Sequence, residues 1–167
     1  VPLRAEEYAG GAGHAFFANL LPEGGLRQAV CARLGISEGN DWALLRAIEG
    51  GGGAAEIAPF LDEDYTLSEA PHLLAPAGAT RNRAEALAGA DAAHQVVSGQ
   101  RFDVRRTTCE GNRVVVEAEW SATLLMDLPH WDTGEVIRAR VASVFEVRDG
   151  RVVSQDSYDC YFTPPHA

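Results

Sequence analysis

Two long stretches of this sequence alternate apolar and polar side chains. In the first, residues 113–127, one set of alternate positions is Val114, Val116, Ala118, Trp120, Ala122, Leu124 and Met126. In the second, residues 136–147, that set is Ile137, Ala139, Val141, Ser143, Phe145 and Val147. Successive side chains of a β-strand point to opposite faces. Each stretch therefore predicts a long strand with one buried face.

Turn residues at 110–112 and 149–150 divide the C-terminal part of the chain. The strands that they separate are predicted at 102–109, 113–127, 136–147 and 151–162. Upstream, the pattern predicts a short helix at 54–61, a brief strand at 65–69 and a helix at 81–95 that Thr80 caps. Helices followed by long strands predict an α+β fold, with the helices packed on one face of a strongly bent antiparallel sheet.

The first fifty residues are helical in pattern, with predicted helices at 14–20, 25–34 and 40–48. Four consecutive glycines at 50–53 then break the pattern, because glycine is costly inside a helix. We therefore predict an N-terminal helical appendage over 1–40. The main domain is predicted over 41–167, so that it includes the third helix.

Charge and cysteine usage narrow the functional classes. The chain has 14 basic and 24 acidic residues, a net charge of −10, which argues against a nucleic-acid surface. No run approaches the roughly 18 apolar residues of a membrane span. The three cysteines have no paired or metal-ligating spacing, which favours reduced thiols in a cytoplasmic protein. No Lys-Ser/Thr follows the glycine run, so we expect no phosphate loop there. No His/Asp/Glu cluster has metal-ligand spacing, and we expect neither a metal nor a cofactor.

The order of several short motifs between about residues 41 and 163 resembles the SnoaL-like branch of the NTF2-like superfamily. The motifs are Ala58-Pro-Phe-Leu-Asp-Glu-Asp-Tyr65, Ser68-Glu-Ala-Pro71, Glu119-Trp-Ser121, Asp132-Thr-Gly134, the stretch 144–153 and Tyr158-Asp159. The resemblance implies a cone-shaped sheet around helices, an apolar pocket for a small molecule and a homodimer formed through the sheet. Members of this superfamily include polyketide cyclases, ketosteroid isomerases and limonene epoxide hydrolases.

Residues 2–53 resemble a different family, the N-terminal region of HipA-type toxin kinases. The resemblance is carried by Ala15-Phe-Phe-Ala-Asn-Leu-Leu-Pro-Glu-Gly24, with Ala32-Arg-Leu-Gly35 and Ala43-Leu-Leu-Arg-Ala-Ile48 behind it. It implies a packing subdomain. Neither the catalytic loop nor the metal-binding Asp motif of those kinases follows, so kinase activity is not implied.

Glu69 and His72 are the first pair of candidate catalytic residues. Glu69 ends the first predicted strand, where the resemblance to ketosteroid isomerases places a general-base carboxylate. His72 follows Pro71 at the expected rim of the pocket and titrates near neutral pH, so it could partner Glu69.

Two aspartates of the last strand are further candidates, because SnoaL-like cyclases use an Asp as general acid or base. When this strand is aligned with the family at Tyr158 without gaps, Asp159 falls on the face of the strand that points towards the pocket. A shift of one residue at the hairpin would turn Asp156 there instead. Both therefore stay open.

The remaining candidates are ligand-binding positions on the predicted inner faces: Trp120, Ser143, Tyr65, Tyr158, Phe145 and Leu124. Ser143 falls where the isomerases have a second, protonated Asp, and a serine is a weaker donor to an oxyanion. Around Ala122 the long strand offers no inward Arg or Asp, so we do not expect epoxide hydrolysis.

Two functional hypotheses follow. The first is cofactor-free acid–base chemistry, of the cyclase or isomerase type, on a small apolar or aromatic molecule. The alternative is a module without catalysis that binds a ligand, or binds a protein as a remnant of a toxin–antitoxin component.

Overall fold

A computed structural model describes residues 52–163, which form one six-stranded sheet with two short helices. The helices are α1 (Ala54–Ile57), continued by a 3₁₀ turn (Ala58–Phe60), and α2 (Arg83–Ala93). The strands are β1 (Leu61–Glu69), β2 (Ala79–Asn82), β3 (Val97–Glu110), β4 (Arg113–Leu124), β5 (Val136–Arg148) and β6 (Arg151–Tyr161). The α+β class predicted from the sequence is confirmed. The predicted N-terminal helices and the boundary at residue 40 lie outside the described residues.

The strands lie in the order β2-β1-β6-β5-β4-β3. Every neighbouring pair is antiparallel except β1 and β6, which run parallel with Glu69 beside Ser157. The sheet is therefore mixed, and the prediction of an antiparallel sheet is corrected at this pair. Parallel neighbours need a long crossover, and here the chain from β2 to β5 forms it. As a result, β1 and β6 lie side by side and contribute side chains to the same buried face of the sheet.

The start of α2 differs from the sequence prediction. Thr80 was expected to cap the helix, but it lies in β2, opposite Ser68 of β1. Asn82 is the cap: its Oδ1 accepts from the Glu85 N–H at 3.0 Å, while the Glu85 carboxylate accepts from the Asn82 N–H at 2.9 Å. This reciprocal capping box satisfies two amide groups that a helix start leaves open. It moves the helix start two residues along the chain.

The predicted inner faces of β4 and β5 are confirmed. Their residues from Val114 to Leu124 and from Ile137 to Val147 are at most 8% exposed at every second position. They form the apolar core with Leu61, Leu67 and residues of α2.

A bulge explains why β6 shows no clean alternation in the sequence. Glu146 pairs with Ser154 but Val147 pairs with Val152, so Val153 is an extra residue in β6. Beyond the bulge the inner face of β6 consists of Gln155, Ser157 and Asp159. One inserted residue exchanges the two faces of a strand.

No helix between residues 52 and 163 has the length and apolar character needed to cross a membrane.

Candidate functional site

The apolar core of the described residues contains a group of buried polar side chains. They are Glu69, His72, Ser143, Gln155, Ser157 and Asp159, each at most 9% exposed. The sheet register places three of them in one row, because Glu69 lies beside Ser157 and Ser157 lies beside Ser143. Buried polar groups cost free energy unless they are hydrogen-bonded, so a row of them inside an apolar core is a candidate functional site.

Three of these side chains converge. Glu69, His72 and Asp159 each place an oxygen or nitrogen within 4.8 Å of the others. The distance from His72 Nε2 to Glu69 Oε1 is 3.9 Å. Ser157 Oγ donates a hydrogen bond of 2.9 Å to Asp159 Oδ1. We call Glu69, His72 and Asp159 the buried triad.

Arg81, on β2, forms an ion pair and a hydrogen bond with Glu69. The Glu69 side chain is only 1% exposed and that of Arg81 is 15% exposed. A neighbouring cation favours the ionised form of a carboxylate. Arg81 therefore favours the ionised form of Glu69. The sequence analysis missed Arg81 because it placed this residue at the start of a helix. A strand predicted at 79–82 and paired with β1 would have placed Arg81 next to that strand.

The loop after β1 fixes the orientation of His72. The Leu74 N–H donates to His72 Nδ1 at 3.2 Å, and the backbones of His72 and Ala75 exchange two hydrogen bonds of 3.0 Å. With Nδ1 accepting, Nε2 is the ring nitrogen left to donate. Nε2 lies on the side of Glu69, 3.9 Å from its Oε1 atom.

Gly78 closes the same loop, where its N–H donates to the Ala75 carbonyl at 2.8 Å. Its φ of +68° lies in the left-handed region, and an added Cβ would come within 2.6 Å of the Glu69 carbonyl oxygen. Only glycine fits here without displacing β1 or the loop. This position thus ties the loop carrying His72 to the end of the strand carrying Glu69.

Burial raises the pKa of Asp159 to about 6, although the Ser157 hydrogen bond and the His72 ring lower it, and Glu69 raises it further. Burial also raises the pKa of Tyr161 well above its usual value, with Asp159 and Glu69 adding to the rise. Tyr161 therefore stays a neutral phenol, while Asp159 changes its charge near neutral pH.

Aromatic rings surround Tyr161, two residues beyond Asp159 on the same strand. Its ring centroid lies 5.3 Å from that of His72, 6.2 Å from that of Trp120 and 6.1 Å from that of Trp131. Trp120 was a predicted binding residue. Tyr161 was missed, although its spacing from Asp159 on one strand face was the available signal.

The other predicted positions are not members of the triad. Asp156 is partly exposed and Tyr158 is 51% exposed, both on the outer face of β6. The expectation that Tyr158 lines a pocket, and the option of Asp156, are corrected, because the bulge turns Asp159 inward. Tyr65 is buried and donates to Gln155 Oε1 at 3.0 Å. Phe145 lies beside Gln155, and Leu124 belongs to the core.

The donor set of the triad suits proton transfer better than metal binding. A metal ion needs the lone pair of a neutral imidazole nitrogen, and here the Nε2 atom that faces the carboxylates carries the proton. Arg81 also supplies a positive charge beside Glu69. The arrangement instead offers two buried groups. One is the carboxyl group of Asp159, whose pKa of about 6 is close to neutral, and the other is the N–H donor of His72.

The fold is that of several solved structures. AclR from Streptomyces galilaeus, named as a candidate hydroxylase, superposes with a TM-score of 0.57 at 14% identity, covering 80% of this chain and 74% of AclR. IdmH from Streptomyces antibioticus, a candidate polyketide cyclase, gives 0.57 at 17% identity over 74% and 92% of the two chains. An LEH-like epoxide hydrolase from M. tuberculosis gives 0.53 at 18% identity over 71% and 77%.

Family comparison covers both parts of the sequence. Residues 1–54 match the HipA N-terminal domain, and residues 43–155 match the SnoaL-like domain. No curated protein matches the chain in sequence. Since the second match spans most of the chain and the solved neighbours share its NTF2-like fold, the chain belongs to the SnoaL-like domain family.

Proposed function

We propose that this protein binds a small apolar or aromatic molecule inside its SnoaL-like domain and moves a proton on that molecule without a cofactor. The observation that carries the proposal is the buried triad, in which Asp159 has a pKa of about 6. Titratable groups with such shifts occur preferentially at functional sites. The names of two solved neighbours, a candidate polyketide cyclase and a candidate isomerase, agree with this chemistry.

Asp159 is the proton carrier in this proposal. Above its pKa of about 6 the side chain is mainly a carboxylate and can accept a proton. A pKa this close to neutral also lets the protonated acid return that proton, so one group serves in both directions. Ser157 holds one carboxylate oxygen in place. Glu69, which pairs with Arg81, contributes negative charge next to Asp159 and does not itself need to titrate.

The rings of Trp120, Trp131 and Tyr161 favour a flat, largely apolar ligand. Tyr161 meets both tryptophans edge to face. Aromatic pairs in this geometry stabilise one another and present apolar surface to a neighbour. The ligand would contact this surface and place its reacting atom at Asp159.

The second candidate function is ligand binding without catalysis. Two observations favour it: Ser143 replaces the acidic donor of the isomerases, and the carboxylate of Glu69 is already engaged by Arg81. In that case Asp159 would be a polar anchor.

Exchange of the α protons of 2-tetralone in D₂O, followed by proton NMR, separates the two functions without knowledge of the natural substrate. We expect the wild-type protein to accelerate exchange and Asp159→Asn to lower the rate by about 10²-fold or more. Asp156→Asn is the matched control, since it changes the outer face of the same strand and should exchange like the wild type. Equal rates for the wild type and Asp159→Asn would reject the proposal.

A further inference from the structure

The loop between β4 and β5, residues 125–135, buries two apolar side chains beneath an exposed backbone. Leu128 and Trp131 are 7% and 5% exposed, whereas residues 129–130 and 132–134 are exposed. The backbones of Leu128 and Trp131 exchange hydrogen bonds of 3.0 and 3.1 Å, which form a tight turn at the tip of the loop. The loop is therefore a single layer of chain over the interior, and we call it the cover loop.

Trp131 of the cover loop lies above the site. Its ring centroid is 6.1 Å from that of Tyr161, which is two residues from Asp159 on β6. Every member of the buried triad is at most 9% exposed. An aromatic ring that comes to rest beside Asp159 therefore has to displace part of the structure that covers it.

Hydrogen bonding distinguishes the cover loop from the other loop beside the triad, residues 70–78. In that other loop the Ala70 N–H donates to the Ser157 carbonyl of β6 at 2.9 Å, so the loop is bonded to the sheet. Between residues 126 and 133, by contrast, each hydrogen bond found in the described part of the chain joins two residues of the cover loop. Apolar packing alone holds the middle of the cover loop on the domain.

The Asp127 carboxylate ties the two sides of the cover loop together. Its Oδ1 atom accepts from the Thr133 N–H at 2.8 Å and from the Thr133 hydroxyl at 2.6 Å. The loop begins where the Leu125 N–H donates to the Val96 carbonyl, and it ends near Gly134, whose φ is +89°. The loop can thus leave the interior by breaking the bonds to Asp127 and the packing of its apolar side chains, and no hydrogen bond to the rest of the described domain is lost.

We infer that the cover loop opens to admit the ligand and closes over it, with the Asp127–Thr133 contact as its latch and Trp131 as the side chain that moves. This inference rests on the proposed function, because it takes the interior of the domain as the place where the ligand binds. A flat apolar molecule suits this route, since its rings can replace the contact that Trp131 loses with Tyr161. Closure then excludes water from the proton transfer.

Stopped-flow measurement of 2-naphthol binding tests the latch. Asp127→Ala should raise the association and dissociation rate constants together, by about fivefold or more, because it weakens the closed form of the free and the bound protein alike. The Kd should change less than twofold. Loss of an ordinary contact with a ligand acts mainly on the dissociation rate and raises the Kd, so a parallel rise of both rate constants is specific to a gate.

Two further variants complete this test. Thr133→Val removes only the hydroxyl bond to Asp127 and should raise both rate constants by a smaller factor. Asp132→Ala is the matched control, because this exposed side chain of the same loop makes no hydrogen bond within residues 52–163, and it should keep the wild-type rates. A wild type that does not bind 2-naphthol, or an Asp127→Ala variant with wild-type rate constants, would overturn the inference.

The 2-tetralone assay separates this inference from the proposed function. If Asp159→Asn lowers the exchange rate while Asp127→Ala leaves both binding rate constants unchanged, the cover loop is rejected as a gate and proton transfer by Asp159 stands. If the wild type shows no exchange but both rate constants rise in Asp127→Ala, proton transfer is rejected and entry through the cover loop stands.

Discussion

Asp159 and Asp156 lie three residues apart on one strand and face different surroundings. Asp159 is 9% exposed, and Asp156 is partly exposed on the outer face. The sequence predicted both as candidates, because carboxylates occur on either face of this strand. Burial is decided by the bulge at Val153, which leaves no signature in residue type. Which of the two carboxylates lies inside the fold therefore depended on the register of the strand.

The raised pKa of Asp159 makes stability depend on pH. Its value of about 6 in the folded state exceeds the usual unfolded value of about 3.9. The protonated side chain thus favours folding, fully so below pH 4, and this contribution is lost as the pH rises through 6. Between pH 4 and pH 7 the free energy of unfolding of the wild type should fall by about 2 kcal/mol relative to Asp159→Asn.

Urea unfolding at a series of pH values measures this difference. Asp156→Asn should follow the wild type across the whole range. Parallel curves for the wild type and Asp159→Asn would show that Asp159 has an ordinary pKa.

Removal of Arg81 should leave Glu69 buried without its cation. We expect Arg81→Met to lower the free energy of unfolding by about 3 kcal/mol, measured by urea unfolding at pH 7.5. Adding Glu69→Gln should recover much of the loss, because the isolated charge is then gone. Arg105→Met, which breaks a pair with Glu119 on the outer face, should change stability far less. Equal effects of the two arginine variants would contradict the assigned role of Arg81.

At the scale of elements, the long strands were predictable and the four-residue β2 was not. The alternation in β4 and β5 predicted their inner faces, because one side of an open sheet packs on a core. The four-residue β2 was read as part of a helix, since Thr80 and Asn82 are both good caps and only pairing with β1 separates them. That misassignment removed Arg81 from the predicted site.

Gly78 provides a test of the loop between β1 and β2. Gly78→Ala should lower stability by about 2 kcal/mol or more and weaken the binding of 2-naphthol, a flat aromatic alcohol that serves as a probe ligand, because the new Cβ would collide with the Glu69 carbonyl. Gly99→Ala is the control: Gly99 also has a positive φ, +58°, but its Cβ would meet nothing within 4 Å. Denaturation and ligand titration of both variants measure the difference. Equal losses would mean that backbone strain alone, and not the contact with β1, makes Gly78 necessary.

At the scale of the whole molecule, the order of motifs predicted the family, and both family matches agree with it. The triad itself was harder to predict from the sequence. Its members come from residues 69, 72 and 159, and they meet only because β1 and β6 pair in parallel. A homodimer through the sheet stays a prediction. Val136 and Tyr158, on the outer faces of β5 and β6, are more than half exposed.

The most direct measurement is a crystal structure of the protein purified without added ligand and then soaked with 2-naphthol. We expect a molecule packed against Tyr161 and Trp120, with its ring next to Asp159. An interior filled entirely by side chains, with Asp159 and Glu69 turned to water, would contradict the claim that this domain carries out proton transfer on a small molecule.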